Sequence, residues 1–176
     1  ARAVRVCATR VPFMSGGLAL LVDSLVGALR GSGHRAEVVS LPTAWDRERL
    51  YDAAMAWRLI PLDAELVIPV NFPAYFARHP DKVPWLAHQH RAAYDALGQP
   101  WSDFHLDGPS LDDHRQLLDW DIRALAESTR RYAISEVVAR RMRRWCGLDA
   151  TALYQPPPLA DRITPRAGGV GDHILC

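Results

Sequence analysis

The sequence predicts a doubly wound α/β fold with a mostly parallel sheet, and three observations carry the prediction. Short segments rich in β-branched residues alternate with longer ones whose apolar residues recur every three or four positions. At this spacing successive strands are expected to lie parallel, joined by right-handed crossovers, with helices on both faces. The third observation is composition. The chain has 176 residues, 49% of them hydrophobic and 23% charged, which excludes disordered, collagen and coiled-coil classes. A chain of this length buries about 70% of the surface its unfolded form exposes, so no disulfide or metal staple is needed.

The first strand is Ala3 to Ala8 (AVRVCA), running into a loop at Thr9-Arg10-Val11-Pro12. Ser15-Gly16-Gly17 opens a helix in which Leu18, Leu21, Val22, Leu25, Val26 and Leu29 share one face, and Gly31-Ser32-Gly33 stops it. Ala36 to Leu41 is a second strand, and Arg47 to Leu59 a second helix with Leu50, Ala53, Ala54 and Trp57 at helical spacing. Ala64 to Pro69 is the third strand. A Pro- and aromatic-rich connection then leads from Asn71 to Pro80, and Lys82 to Ala87 is a fourth strand that Pro84 makes imperfect. An irregular stretch with Gly98, Pro100, Gly108 and Pro109 precedes a helix from about Leu111 to Ser128. Arg131 to Ile134 is a short strand; Ser135 caps a helix lined by Val138, Met142 and Trp145; Ala150 to Tyr154 is the last strand, ahead of Pro156-Pro157-Pro158. Residues 1–158 thus form one domain, and residues 159–176 read as a linker and the opening strand (DHILC) of another.

With 21 Lys+Arg against 20 Asp+Glu, the net charge of +1 gives no global attraction to nucleic acid or to an anionic membrane. Cys7, Cys146 and Cys176 are far apart, odd in number and without a C-x-x-C pair, which fits a reducing compartment. The apolar runs are broken by Arg5, Arg10 and Asp23 and fall short of the roughly 20 residues that a membrane span needs. The chain therefore reads as cytoplasmic, with contact at the cytoplasmic face of a membrane as the one alternative.

In an open α/β sheet ligands bind at the carboxyl ends of the strands. The residues there are Thr9, Arg10, Gly16 and Gly17, then Asn71, then His88, His90 and Arg91, then Ser135 and Glu136. Gly16-Gly17 at a helix start either admits an anion to the helix N-terminus or eases a strand-to-helix turn. It is neither G-x-G-x-x-G nor a P-loop, and no acidic residue ends the second strand, which weighs against nicotinamide and simple NTPase chemistry. His88 and His90 fit three readings: hydrogen-bonding groups for a polar ligand, structural loop residues, or two ligands of a zinc site completed by His105 or His114. Arg140, Arg141, Arg143 and Arg144 form either a solvated helix face or a contact for anionic lipid headgroups.

Taken in order, the segment from Val4 through Gly16-Gly17 to the helix end Ala28 to His34 and Glu37-Val38-Val39, then HPDKVPWLAHQHRAAYD (His79 to Asp95), RRYAISEVVARRM (Arg130 to Met142) and LYQPPP (Leu153 to Pro158), resembles the N-terminal half of family 4 glycosyltransferases of the GT-B fold. The resemblance covers nearly the whole chain. It implies a Rossmann-like three-layer sandwich within a two-domain, retaining hexosyltransferase-type enzyme that moves a sugar from a nucleotide diphosphate to a carbohydrate or glycolipid acceptor, without a metal or other cofactor. It matches Gly16 and Gly17 to the loop facing the donor diphosphate and His88 to the catalytic-site histidine beside the transferring sugar. Arg10, Asn71, His90, Arg91, Tyr94, Ser135 and Glu136 fall to the acceptor side by position.

The family's C-terminal E-x₇-E motif and diphosphate-binding Arg and Lys are missing here, and Glu127 with Glu136 has the wrong spacing. Those positive groups stabilise the leaving diphosphate, so the 176 residues alone are expected to be inactive and to need a C-terminal domain. The rival expectation is a stand-alone α/β ligand-binding or regulatory module that uses the same rim without catalysis.

Overall fold

The computed structural model describes residues 1–10, 16–43, 46–157 and 162. Within them run β1 (Ala3–Arg10), α1 (Gly17–Gly31), β2 (Arg35–Pro42), α2 (Leu50–Leu59), β3 (Leu66–Pro69), β4 (Trp85–Leu86), α3 (Gly108–Ala126), β5 (Tyr132–Ala133), α4 (Glu136–Cys146) and β6 (Thr151–Ala152). The strands form two parallel three-stranded sheets, ordered β2-β1-β3 and β4-β5-β6. The class is α/β, as expected, but the sheet is not uniform.

A seam separates the two sheets. They are joined through parallel bridges at Val67↔Lys82 and Asn71↔His88. The segment from Lys82 to His88 is two residues longer than the Val67–Asn71 segment it faces, so the register slips by two between the bridges. Backbone bonds flank the slip: Val83 N–H to Val67 O at 2.9 Å, Ala87 N–H to Val70 O at 2.7 Å, and Phe72 N–H to His88 O at 3.1 Å. Pro84, which has no N–H to donate, lies inside it. This is why the strand expected over Lys82–Ala87 contracts to Trp85–Leu86.

Alternation along β1 builds the two layers of core. Val4, Val6 and Ala8 face α1, where they pack with Leu21, Val22 and Val26 and with Ile68, Val70 and Trp85. Cys7 and Val67 face the other way, toward Trp57 of α2, Leu117 and Leu125 of α3, and Met142 of α4. One helix thus covers one face and three cover the other.

Helix ends follow local chemistry. Gly33, at φ +83°, ends α1 with His34 N–H bonded back to Leu29 O at 3.0 Å. The Ser135 hydroxyl accepts from Val138 N–H at 3.3 Å and starts α4, and Gly147 at φ +65° closes it. The third helix begins at Gly108, three residues before the expected start, because Pro109 fits a first helical turn that needs no N–H donor there. The expected helix from Arg47 opens as a 3₁₀ turn over Arg47–Arg49. The last two strands shrink to two residues each.

A buried cation fastens the second layer. Lys82 is fully buried, and its Nζ donates to the carbonyls of Tyr75 (3.1 Å), Ala77 (3.1 Å) and Ala124 (2.8 Å) and to Glu127 Oε2 (3.1 Å). Glu127 also accepts two bonds from Arg58, at 2.8 and 2.5 Å. One side chain thereby joins the loop after β3, the segment leading into β4 and the end of α3. Residues 159–161 and 163–176, the expected linker and opening strand, lie outside the described residues, as do 11–15 of the first loop.

Candidate functional site

The strand order β2-β1-β3 reverses direction between β1 and β3, which makes their carboxyl ends the switch point where an α/β sheet leaves a crevice. Two kinds of residue occupy that edge: some present polar atoms outward, and others use them to hold the edge together.

Asn71 belongs to the second kind. It is fully buried, its Oδ1 accepting from Thr9 N–H at 3.0 Å and its Nδ2 donating to Phe72 O at 2.9 Å. Thr9 Oγ1 donates to the same carbonyl at 3.3 Å. The side chain thus ties the end of β1 to the end of β3 and has its amide spent. Arg10 is the last residue of β1, opposite Pro42; its side chain lies outside the described parts.

Gly16 and Gly17 stay open. Gly16 is extended (φ −152°) and precedes α1; both residues are exposed, and a Cβ built on either meets nothing within 4 Å. No packing demand explains the pair in this conformation. The first N–H groups of a helix have no carbonyl four residues back to bond; in α1 Ala19 N–H donates instead to Gly16 O at 3.0 Å, and no acidic side chain sits in this first turn.

His88 follows β4, half-buried, bridged to Asn71. Burial pushes its pKa below the ordinary 6.5, the bond to Gln89 opposes this, and the nearby Arg91 and Arg141 guanidinium groups add to it. The imidazole is therefore neutral at neutral pH. Its Nδ1 lies 2.9 Å from the Gln89 carbonyl, which can only accept, so the proton is on Nδ1 and Nε2 is left as an acceptor.

His90 and Tyr94 lie beneath the rim rather than on it. His90 is 6% exposed, between Phe72 (ring centroids 5.1 Å) and Phe104 (5.6 Å), and burial lowers its pKa to about 4. Tyr94 is buried, with its hydroxyl 2.5 Å from Asp121 Oδ2 and its ring edge-on to Trp145 at 5.8 Å. Arg91 is exposed at the start of a 3₁₀ turn. Ser135 spends its hydroxyl on the α4 cap; Glu136 is exposed, and its N–H donates to Tyr154 Oη at 3.4 Å. The structure therefore brings Asn71 and His88 together and leaves Gly16, Gly17, Arg91 and Glu136 facing outward, while it withdraws Asn71, His90 and Tyr94 from direct reach.

Among the described residues no three His, Cys, Asp or Glu side chains converge as a metal site. Of the two histidines that the zinc reading of His88 and His90 offered as a third ligand, His114 is buried with Nε2 at 2.8 Å from Ala93 O, and His105 is exposed on the loop before α3. Cys7 and Cys146 are buried and unpaired by disulfide, and burial lifts their thiols to about 12 and about 11, which makes them poor nucleophiles. No helix among the described residues is long and apolar enough to cross a membrane.

One group escaped the sequence reading. Asp121 is fully buried beside Tyr94, with Tyr75 facing it and Cys146 close by, and burial raises its carboxyl to about 7 against partial relief from the two tyrosines. Gln89, also fully buried, donates to Cys146 Sγ at 3.3 Å. The available signal was position: Asp121 falls four residues after Leu117 and four before Leu125, on the buried stripe of α3.

The fold and the site together define a parallel α/β protein with polar residues gathered at one sheet edge. Compared with protein-family models and with curated proteins, the chain matches none.

Proposed function

We propose that this chain is the acceptor-side half of a retaining GT-B glycosyltransferase, which transfers a hexose from a nucleotide diphosphate to a carbohydrate or glycolipid acceptor. One observation carries the reading. His88 is a neutral imidazole at the carboxyl edge, with Nδ1–H engaged and Nε2 left to accept from a sugar hydroxyl. The sequence resemblance gives that position to the histidine beside the transferring sugar. The open N-terminus of α1 at Gly16-Gly17 adds support, because backbone N–H groups and the helix dipole suit a diphosphate. In this reading a second domain brings the nucleotide and the positive groups that stabilise its departure. The residues here orient the acceptor and line the reacting centre, and Asn71 and Tyr94 act beneath the surface by fixing the strand ends and the turn around His88.

The test pairs two binding experiments on the chain. Saturation-transfer NMR with free hexoses and polyols is expected to show contact that His88→Ala removes. Calorimetry with UDP- and GDP-sugars is expected to show no micromolar binding, which would be about −8 kcal/mol. Micromolar binding of a nucleotide sugar would mean a complete nucleotide site and would replace this reading with a stand-alone ligand-binding module.

A further inference from the structure

Buried polar side chains from three parts of the chain stand behind His88. Gln89, the next residue, is fully buried, and its Nε2 donates to Cys146 Sγ of α4 at 3.3 Å. The Tyr94 hydroxyl, from the turn after β4, lies 3.9 Å from the same sulfur and 2.5 Å from Asp121 Oδ2 of α3. At the other end, the backbone carbonyl of Gln89 holds His88 Nδ1–H at 2.9 Å. An unbroken run of contacts therefore leads from the Asp121 carboxyl through Tyr94, Cys146 and Gln89 to the imidazole.

One link in that run is weak by its chemistry. A thiol sulfur is a poor acceptor, so the Gln89 amide is lightly held, whereas an ionised carboxylate forms hydrogen bonds roughly twice as strong as neutral partners do. The groups facing Asp121 are the hydroxyl of Tyr75 from the turn after β3, that of Tyr94, and the Cys146 thiol. Among the described residues no cation joins them. Lys82 Nζ reaches this layer but is bonded to the carbonyls of Tyr75, Ala77 and Ala124 and to Glu127. His114, two turns earlier on α3, is turned to Ala93 O. Burial, reinforced by the carboxylate, holds both phenols well above the ordinary 10, and burial lifts the thiol to about 11. Near neutral pH Asp121 is thus the member of this group that changes charge.

We propose that Gln89, Cys146, Tyr94 and Asp121 are positioning residues for His88, and that the proton on Asp121 sets their hold. With the acid neutral, Gln89 stays on Cys146, and its carbonyl keeps the imidazole proton on Nδ1. With Asp121 ionised, the Gln89 amide and the Cys146 thiol turn toward the carboxylate, and the Gln89 peptide shifts with them. The imidazole then gives its Nδ1 proton to water and takes one up at Nε2, which removes Nε2 as an acceptor. The coupling concerns the imidazole alone, so it does not rest on glycosyl transfer, and its test uses no sugar.

NMR of the chain labelled with ¹⁵N and ¹³C, from about pH 6 to 8.5, tests it. The His88 ring nitrogens report the tautomer, and Asp121 Cγ reports the ionisation. Asp121 is expected to titrate with a midpoint near 7, and His88 to pass from the Nδ1–H to the Nε2–H form with the same midpoint. Its own protonation, lowered from 6.5, lies on the acid side of this change. Asp121→Asn holds the Nδ1–H form throughout. Gln89→Leu and, independently, Cys146→Ala cut the run: Asp121 still titrates, but the His88 tautomer no longer follows. Cys146→Ser restores an acceptor and with it the response. A tautomer that ignores the Asp121 titration in the parent chain overturns the proposal. So does one that follows it in either cut variant, as a charge acting through space would make it, or an Asp121 that does not titrate in this range.

Discussion

Replacing Asp121 with Asn probes the buried carboxyl directly. In the folded chain its pKa stands near 7 because burial disfavours the charged form, whereas its ordinary value is 3.8. Between those values the folded state holds a proton that the unfolded state has released. Stability contributed by this proton is fully present below about pH 4 and is lost as pH rises toward 7. One pH unit across that window is worth about 1.4 kcal/mol, so the whole loss is on the order of 4 kcal/mol. Asparagine fits the same space, keeps an acceptor for the Tyr94 hydroxyl and does not titrate. Urea unfolding of both proteins from pH 4.5 to 8 gives the readout as a difference. His90, lowered to about 4, works in the opposite sense: its contribution is lost as pH falls through its folded value. That contribution is common to both proteins and cancels in the subtraction. The variant is expected to gain on the parent steadily up to about pH 7 and then to run parallel with it. A difference that stays flat over the range would refute the argument that Asp121 is buried as the neutral acid.

The geometry sets three further outcomes. Lys82→Met removes the ammonium that satisfies three carbonyls and Glu127, and should lower stability by about 3 kcal/mol in urea unfolding, since a buried pair that loses one partner strands the rest. Gly147→Ala should cost about 1 kcal/mol because its φ of +65° strains an L side chain, whereas Gly16→Ala, extended and with no neighbour within 4 Å, should leave the melting temperature in place.

Helices were the more legible part of this fold, and the reason is physical. In α1 the apolar residues recur with the helical period, and Gly33 marks the end in both the sequence and the backbone. The extent of β4 was not legible, because its approach to β3 includes a register slip that no local pattern encodes. At the site, His88 stands at the strand end where the α/β rule put it. Burial of a polar residue depends on partners distant in sequence, so the chain alone did not distinguish His88 from His90. His90 turns inward because Phe72 and Phe104, 18 and 14 residues away, offer it an aromatic slot. Likewise the arginine run looked uniform until Asp95, 46 residues upstream of Arg141, divided it into paired and unpaired members.

The slip beside β4 also works as a length adjustment. Continuing the Val67↔Lys82 pairing in step would set Leu86, not His88, opposite Asn71. The two surplus residues draw the strand back by about 6.6 Å, at roughly 3.3 Å per residue. An even-numbered slip keeps each side chain on its own side of the sheet, whereas an odd one would turn the imidazole to the other layer. The slack around Pro84 therefore sets which residue stands beside Asn71, His88 rather than Leu86, and leaves its imidazole on the side of the sheet that an in-step strand would give it.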